Sequence, residues 1–467
     1  MCADKSVRAP KRFKMSFYCP HTENEIKEML EAIGAKSIDD LFATVPPEFR
    51  LKRELNLPAG MPEPEVEAEL NRLAGKNKSC SDTVCFAGGG VYNHYVPRAV
   101  DYLLMRSEFS TAYTPYQPEA SQGTLQAIFE YQSMIKSLTG MEVANASMYD
   151  GGESCAEAVL MSARIAKKPQ GAILMAGGLH PHYRRVIGTY TKHLEYGKKV
   201  LPITPSGQMD LDALKKEKPG LCLVVQHPNY FGCLEQMDEI GALAKEKNFT
   251  LIVITCEALS LAMLEPPGSF GAAIAAGEAQ SFGMRPGFGG PLLGFFASRE
   301  EFVRKMPGRL VGQTVDREGR RGFVLTLATR EQHIRRAKAT SNICTNHSLM
   351  ALTAGIYLSL LGKNGLVKLA GVNLERANYL RRKISESKTL KLKFSAPVFN
   401  EMTVELGVDA EKVVAALANE GILAGVPLKH HFPDMADCLL VAATEMTEKA
   451  QIDELVRKLE SAARSGR

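Results

Sequence analysis

Short apolar runs separated by helical patterns constrain the fold of this 467-residue chain most strongly. Residues 251–254, 272–276 and 292–297 form three such runs within one stretch, and residues 172–175 and 221–225 form two earlier ones. Runs of this length, rich in β-branched residues, are typical of strands buried on both faces of a parallel sheet. Because helical patterns lie between them, the sequence predicts an α/β fold built on a large, mostly parallel sheet.

The distribution of apolar positions divides the chain into three regions. Residues 1–80 contain short amphipathic helices with few apolar positions, so we expect a helical arm that does not fold alone. Residues 81–345 form the predicted large α/β domain. After helical stretches at 347–361 and 365–387, short strands and helices predict a small C-terminal α+β domain. Residues 346–467 comprise the connecting helices and this domain.

Composition argues against several classes of function. The chain has 57 basic and 52 acidic residues, and its basic residues are not interleaved with aromatic ones, so nucleic-acid binding is not expected. No apolar run approaches the ~20 residues that span a bilayer, so we expect no membrane association. The N-terminus lacks an export signal and the cysteines form no CxxC pair. We therefore expect a cytoplasmic protein with reduced thiols, and residues 1–14 are either a leader or, if Met15 is the start, absent.

An acidic residue and a polar loop follow two of the predicted strands. Glu257 lies just beyond the run 251–254, residues 278–281 (EAQS) form the loop, and the sequence Gly-Gly-Pro at 289–291 leads into the next run. This order resembles the centre of the fold type I pyridoxal-phosphate (PLP) enzymes. The resemblance implies that the acid faces the pyridine nitrogen and that the loop carries the lysine that holds PLP as a Schiff base.

That lysine is missing from this chain. Counting back from Gly290-Pro291, its place is taken by Gln280, and no lysine occurs between residues 248 and 304. A glutamine amide is not nucleophilic and cannot form an imine. The sequence thus predicts the scaffold of a PLP enzyme without its covalent anchor. A PLP lyase that uses Lys245 or Lys305 is an alternative that the geometry disfavours, because the first precedes the strand and the second follows the third run.

Longer motifs carry a more specific resemblance. Residues 113–119 (YTPYQPE) form a rigid polar loop ahead of a predicted helix, and residues 139–151 (TGMEVANASMYDG) follow that helix. Further characteristic segments lie at 309–312, 318–322, 330–336 and 339–345. Together these motifs resemble subunit 1, the α subunit, of the split P protein of the glycine cleavage system, a glycine decarboxylase.

The resemblance implies a function that two homologous chains share. The other chain, subunit 2, carries the lysine and PLP, and the expected assembly is an α2β2 heterotetramer. The complex is expected to decarboxylate glycine and to transfer the aminomethyl group to the lipoyl arm of the H protein, as an aminomethyl-transferring glycine dehydrogenase does. This chain is then active only with its partner. The alternative is a non-enzymatic scaffold that retains the fold.

Two groups of residues are candidate site residues. The first is expected to contribute to the partner's active site, with segment 88–95 as a gate or a hinge and residues 113–123 as a functional loop or a plain connector. Its members are Asn93, His94, Tyr95, Tyr113, Thr114, Tyr116, Gln117, Glu119 and Ser121. The second group is a vestigial cofactor pocket formed by Gly151, Gly152, Ser154, His180, Glu257 and Gln280.

Alternatives remain within the pocket and beside it. Asp150 opens a helix whose first amides favour a phosphate, but we expect a structural cap because no lysine remains to hold the ring. His180 is either a remnant pocket side chain or a surface histidine. The histidine pairs of the chain have no carboxylate or cysteine at ligand spacing, so no metal site is expected. The basic segment 299–338 predicts a hairpin that is either mobile or a docking surface for an acidic carrier protein.

Overall fold

The computed structural model describes residues 21–53, 55–109, 112–166 and 171–465. The chain divides into two compact units, Met1–Asn77 and Lys78–Arg467. The expectation for residues 1–14 lies outside the described residues. Each unit is considered by itself below.

The N-terminal unit consists of short helices without buried residues. Helices α1 (Glu23–Ala32) and α2 (Glu63–Ala74) are separated by 3-10 turns at Ile38–Phe42 and Pro47–Phe49. No residue of these four elements is buried. Large apolar side chains are exposed instead, and Phe49 is 78% exposed. The described part of this unit therefore presents apolar surface rather than enclosing it.

The second unit contains the other helices and all of the strands described. Its helices are α3 (Arg98–Leu104), α4 (Gln122–Thr139), α5 (Gly151–Ile165), α6 (Pro181–Tyr190), α7 (Leu211–Lys216), α8 (Met237–Glu246), α9 (Gln332–Arg335), α10 (Ser348–Glu386), α11 (Ala410–Asn419) and α12 (Lys449–Ser465). Its strands are β1 (Val84–Cys85), β2 (Val143–Ala144), β3 (Ala172–Ala176), β4 (Gly197–Leu201), β5 (Cys222–Gln226), β6 (Thr250–Thr255), β7 (Ile274–Glu278), β8 (Gly294–Ser298), β9 (Leu310–Val315), β10 (Arg321–Thr326), β11 (Lys391–Leu392), β12 (Glu401–Glu405), β13 (Ile422–Leu423), β14 (Val426–Pro427) and β15 (Cys438–Ala442).

The large sheet confirms the predicted α/β architecture. Its strand order is β2-β8-β7-β6-β5-β3-β4, with β8 antiparallel to both of its neighbours and the other pairs parallel. Alternate residues of β6 enter opposite cores: Leu251 and Val253 pack on one face, and Ile252 and Ile254 on the other. Burial on both faces explains why this strand is continuously apolar. The runs predicted at 272–276 and 292–297 form strands that lie two residues further along.

The C-terminal part has the predicted α+β architecture. Strands β11, β12, β15 and β14 form an antiparallel sheet in that order. Residues of α11, α12 and the end of α10 share a separate apolar core with it. The two helical stretches predicted before this sheet are joined in α10, with an interruption at Gly362, whose φ of 60° and ψ of −178° are not helical.

Helix α10 is long and apolar enough to cross a membrane by length and composition, and it is the one helix of the described chain with this property. Its residues Ala354 and Tyr357 pack into the core of the large sheet. Leu380 and Ile384, near its other end, pack into the C-terminal core. The helix thus joins the two cores of the second unit.

The glycine-rich segment 88–95 is held between these two sheets. Strand β1 pairs in parallel with β13, and Ala442 N donates to Phe86 O at 2.9 Å. Immediately afterwards Gly89 N donates to the carboxylate of Glu401 at 2.6 Å, and Tyr92 Oη donates to the same carboxylate at 3.1 Å. The segment is therefore fixed against β12 and β15, on the side where β6 and β7 end.

Candidate functional site

Gln280, at the position predicted for the lysine, is buried and binds the glycine-rich segment. Its Oε1 accepts a hydrogen bond from Tyr92 N at 2.9 Å, and its Nε2 donates to Tyr92 O at 3.0 Å. The same Nε2 also donates to Met284 O. The amide thus satisfies both backbone groups of Tyr92, a role that requires a donor and an acceptor on one side chain. A lysine, which has donors only, could not replace it in this arrangement.

A buried ion triad lies beside Gln280. His94 Nε2 is 3.0 Å from Glu257 Oε2, and His94 Nδ1 is 2.9 Å from Glu445 Oε2. Asn400 Nδ2 donates to Glu257 at 2.9 Å, and Asn373 Nδ2 donates to Glu445 at 2.8 Å. Glu257, the acid that the resemblance places opposite a pyridine nitrogen, is therefore paired with the imidazole of His94 in the same chain.

The electrostatics make His94 a cation at neutral pH. Burial alone disfavours its imidazolium, but the charges and hydrogen bonds of Glu257 and Glu445 outweigh burial and raise the pKa of His94 to about 10. Burial likewise disfavours the carboxylate of Glu257, yet the charge of His94 prevails and holds the pKa of Glu257 below its ordinary value. The pKa of Glu445 is lowered by the same partner against the same effect of burial.

A second carboxylate, Glu278, occupies the start of α5. It accepts hydrogen bonds from Gly151 N at 2.9 Å, Gln280 N at 3.0 Å and Leu293 N at 2.8 Å. Burial raises the pKa of Glu278 to about 7, although these three amides act in the opposite direction. Asp150 also caps the helix, because its carboxylate accepts from Glu153 N at 2.8 Å. The first amide of α5 is thus satisfied by a carboxylate of the chain itself.

His180 lies on the wall of the same pocket. Its ring is 7% exposed and stacks on Tyr183, with 4.7 Å between the ring centroids. Nδ1 accepts from His182 N at 3.1 Å, so Nε2 carries the proton and donates to Gly89 O at 2.8 Å. Burial lowers the pKa of His180 to about 4. His180 is therefore a neutral pocket side chain and not a surface histidine.

The remaining predicted pocket residues, Gly151, Gly152 and Ser154, lie in the first turn of α5. Ser154 Oγ donates to Asp150 O at 2.7 Å. Gly151 and Gly152 lie under the ring of Tyr183, where a Cβ on Gly151 would come within 2.2 Å of Tyr183 Oη. The structure thus brings all six predicted pocket residues into one region around the ends of β6 and β7.

The partner-facing candidates fall into two places. In segment 88–95, Tyr95 is exposed, whereas His94 is only 3% exposed. The expectation that His94 serves the partner's site differs from the structure, because both of its ring nitrogens are paired inside this chain. Asn93 O accepts from Thr444 Oγ1 at 2.7 Å.

The second place is the loop before α4. Tyr113, Tyr116, Gln117 and Glu119 are exposed, and Thr114 is partly exposed. Ser121 directly precedes α4 and is 8% exposed, so its side chain is not available at the surface as the others are. The loop therefore presents hydroxyl, amide and carboxylate groups outward.

Some residues that organise the site gave no signal in the sequence. Glu401 and Glu445 come from the C-terminal part and bind the segment 88–95 across more than 300 positions. The sequence predicts only that Glu278 lies in a polar loop. Local patterns contain no information on such distant pairs, so sequence reasoning could not have found them.

Comparison with known proteins decides the family. The family model of the glycine cleavage system P-protein matches residues 16–459 of this chain. The chain belongs to this P-protein family. The resemblance noted in the sequence is thereby confirmed.

Individual P-protein relatives match along nearly their whole length. The probable glycine dehydrogenase (decarboxylating) subunit 1 of Geobacillus kaustophilus (strain HTA426) is 49% identical over 444 residues, which cover 95% of this chain and 98% of the relative. That of Carboxydothermus hydrogenoformans is 47% identical over 445 residues, covering 95% and 99%. A crystal structure of glycine decarboxylase (P-protein) in inhibitor-bound form is 44% identical with a TM-score of 0.84, covering 95% and 99%.

A more distant structure supports the fold alone. Sphingosine-1-phosphate lyase from Burkholderia pseudomallei has a TM-score of 0.64 at 18% identity and covers 90% of this chain and 94% of its own. The fold type I architecture predicted from the sequence is confirmed.

The P-protein family is PLP-dependent, but the pocket of this chain lacks a covalent anchor for PLP. Gln280 stands where the resemblance implies the Schiff-base lysine, and its amide is committed to Tyr92. Gly151 N, the first amide of α5, donates to the carboxylate of Glu278, and Glu257 is paired with His94. These groups already have partners within the chain, so no step of a reaction is assigned to PLP held by this chain.

The ion triad predicts a specific pH dependence of stability. Removing one partner of a buried ion pair typically costs about 3–5 kcal/mol, because the other charge is left unpaired. Glu257→Gln leaves His94 paired with Glu445, so we expect it to lower the free energy of unfolding by less than this amount. The raised pKa of His94 means that its contribution is complete below its ordinary pKa of 6.5 and is lost as the pH rises toward about 10. The difference between wild type and variant should therefore be largest near pH 6 and should shrink toward pH 10.

Urea unfolding at several pH values between 6 and 10 measures this difference. Glu375→Gln is the matched control, because Glu375 forms an exposed ion pair with Lys449 at 2.9 Å and its removal should change stability little. A difference for Glu257→Gln that stays constant between pH 6 and 10 would contradict the assignment of a charged His94.

Proposed function

We propose that this chain is subunit 1 of an aminomethyl-transferring glycine dehydrogenase (decarboxylating), the P protein of the glycine cleavage system. The observation that carries the proposal is a family match along residues 16–459 combined with Gln280 in place of the lysine and a pocket whose acid and helix start bind the chain's own side chains. A chain that keeps the fold but lacks the covalent anchor for the cofactor can serve the reaction by completing the site of a second chain. Relatives that bear the name subunit 1 support this division of labour.

The partner in this proposal is a homologous subunit 2 that holds PLP, in an α2β2 assembly. The exposed apolar side chains of the N-terminal unit support an extensive interface. Leu55 and Leu57 are 64% and 72% exposed, in addition to Phe49. So many exposed large apolar side chains in one short stretch favour burial against a partner, as in obligate interfaces.

The role proposed for this chain is to supply polar groups to the partner's active site. PLP on the partner supplies the electron sink for the loss of CO2 from glycine. The loop at 113–119 offers the hydroxyl of Tyr113, the amide of Gln117 and the carboxylate of Glu119 at its surface. Such groups can orient the amino acid, hold a proton near its amino group and exclude water. Prolines at 115 and 118 keep the loop in one conformation, so little entropy is lost on binding.

The acceptor proposed for the aminomethyl group is the lipoyl arm of the H protein. The hairpin β9–β10 forms as predicted, and Arg320 at its turn pairs with Asp316 at 2.8 Å and with Glu318 at 2.9 Å. The basic segment 299–338 has further exposed cations, among them Arg317 and Arg336. An acidic carrier protein would be attracted to it.

The first test asks whether this chain holds PLP. Purified alone and incubated with PLP, neither the wild type nor Gln280→Lys should form a Schiff base, because Glu278 and His94 keep the places of phosphate and pyridine nitrogen. Borohydride reduction followed by peptide mass spectrometry measures the adduct, with a lysine-bearing subunit 2 as positive control. An adduct on Lys245 or Lys305 of the wild type would instead support the independent-lyase alternative.

The second test concerns assembly through the N-terminal unit. In the full-length chain co-expressed with subunit 2, Phe49→Glu and Leu57→Glu should weaken the complex, because each places a charge on a desolvated apolar surface. Light scattering of the purified pair should show an α2β2 mass for the wild type and separate species for the double variant. The control is Val315→Glu, at a side chain 63% exposed on the hairpin. Equal assembly of all three proteins would refute the interface.

The third test addresses the loop. Loss of one well-placed polar contact in a water-poor site commonly costs ~2–4 kcal/mol of transition-state stabilisation, or roughly 30- to 1,000-fold in rate. We expect Glu119→Gln and Tyr113→Phe to reduce glycine–bicarbonate exchange by this range in the reconstituted complex, with the melting temperature unchanged. Tyr190→Phe, at a partly exposed tyrosine of α6, is the control. Full activity of both loop variants would leave this chain a non-enzymatic scaffold.

A further inference from the structure

The polar loop at 113–119 is held in place by one buried cation. Arg309 directly precedes β9 and is 6% exposed. Its Nη1 donates to Thr114 Oγ1 at 3.2 Å, and its Nη2 donates to Tyr116 Oη at 3.0 Å. The guanidinium carbon also lies 5.3 Å from the centroid of the Tyr116 ring, a cation–π contact. One side chain thus fixes two residues of the loop.

Arg309 is itself fixed by elements outside the loop. Its Nη2 donates to Cys344 O at 3.2 Å, and its Nε is 3.5 Å from Glu331 Oε2. Its backbone carbonyl accepts from Ala146 N at 2.9 Å. Cys344 lies in the segment before α10, Glu331 at the start of α9 and Ala146 in the segment before α5. The position of the loop therefore depends on a cation anchored in the body of the large domain.

The chemistry of the contact requires an arginine. A planar guanidinium presents donors in a fixed fork, so it can bind two hydroxyls, a carbonyl and a carboxylate at once. A lysine ammonium has a single nitrogen at the end of a flexible stem, so it cannot reproduce the fixed fork in which two nitrogens bind Thr114 and Tyr116 separately.

We infer that Arg309 is a positioning residue for the reaction of the complex. It fixes Thr114 and Tyr116, and through them it sets where the exposed groups of Tyr113, Gln117 and Glu119 lie. Displacements of about 1 Å in such groups can cost on the order of 100-fold in rate. This inference rests on the proposed function, since it assumes that the loop enters the partner's active site.

The test compares Arg309→Lys with wild type in the reconstituted complex. We expect kcat of glycine–bicarbonate exchange to fall about 10- to 100-fold, with KM for glycine changed less than about threefold, because positioning affects the transition state more than ground-state binding. Arg382→Lys is the matched control. Arg382 also lies over a tyrosine, 5.1 Å from the Tyr379 ring, and pairs with Glu386 at 3.9 Å, but on an exposed surface of α10. The activity of Arg382→Lys should equal that of the wild type.

A double-mutant cycle separates positioning from general structural support. Tyr116→Phe removes the hydroxyl that Arg309 binds, so the double variant Arg309→Lys/Tyr116→Phe should be no more than about threefold slower than Arg309→Lys alone. Losses that multiply would overturn the inference, as would full activity of Arg309→Lys or a loss confined to KM. If Arg309→Lys does not assemble, Thr114→Val/Tyr116→Phe removes the same contacts from the loop side and should show the same fall in kcat; unchanged kcat would overturn the inference.

The outcomes distinguish this inference from the proposed function. If Glu119→Gln and Tyr113→Phe retain full activity, the loop is outside the active site and the proposed function fails. If those variants lose activity while Arg309→Lys keeps it, the loop acts without Arg309 and only the inference fails. Addition of millimolar guanidinium to Arg309→Ala gives an independent readout, since partial rescue of exchange there, with no increase in the activity of the wild type, supports a positional role of the cation.

Discussion

The charge pairing of His94 with Glu257 and Glu445 is the interaction on which the centre of this chain depends. The three residues come from segment 88–95, from the end of β6 and from the turn after β15, so the triad joins the large sheet to the C-terminal sheet. Buried carboxylates are costly unless they are paired and hydrogen-bonded. Asn400 and Asn373 supply the additional hydrogen bonds. Removing His94 would leave two carboxylates in the interior without a cation.

The triad also explains how a cofactor fold persists without a cofactor of its own. A pocket shaped for PLP carries an acid and a helix start that need partners when PLP is absent, because buried polar groups are almost always satisfied. Here His94 satisfies the acid, Glu278 satisfies the first amide of α5, and Gln280 binds the backbone of Tyr92. The absence of the lysine and the internal pairing of the acid and of the helix start are therefore parts of one arrangement, in which the chain's own side chains fix the glycine-rich segment.

The exposed loop and the N-terminal unit differ from the buried triad, because they present side chains at the surface. The loop at 113–119 presents polar groups on a rigid support, and Arg309 anchors that support to the large domain. The N-terminal unit presents apolar side chains that its described residues do not cover. A pocket without its lysine, an exposed rigid loop and exposed apolar side chains on the N-terminal unit together suit a chain whose chemistry is completed by another subunit.

The sequence by itself determined the fold class and the absence of the lysine. Continuous apolar runs such as 251–254 predict strands buried on both faces, because the period of the side chains leaves no solvent-facing set. The motifs at 113–119 and 139–151 identified the family for a similar reason, since their identity is local. Only the tertiary structure decided what occupies the pocket. His94 looked like part of a flexible gate, and its pairing with Glu257 and Glu445 arises from contacts across 163 and 351 positions, which no local pattern encodes. The burial that turns these residues into an ion triad exists only once the two sheets have packed.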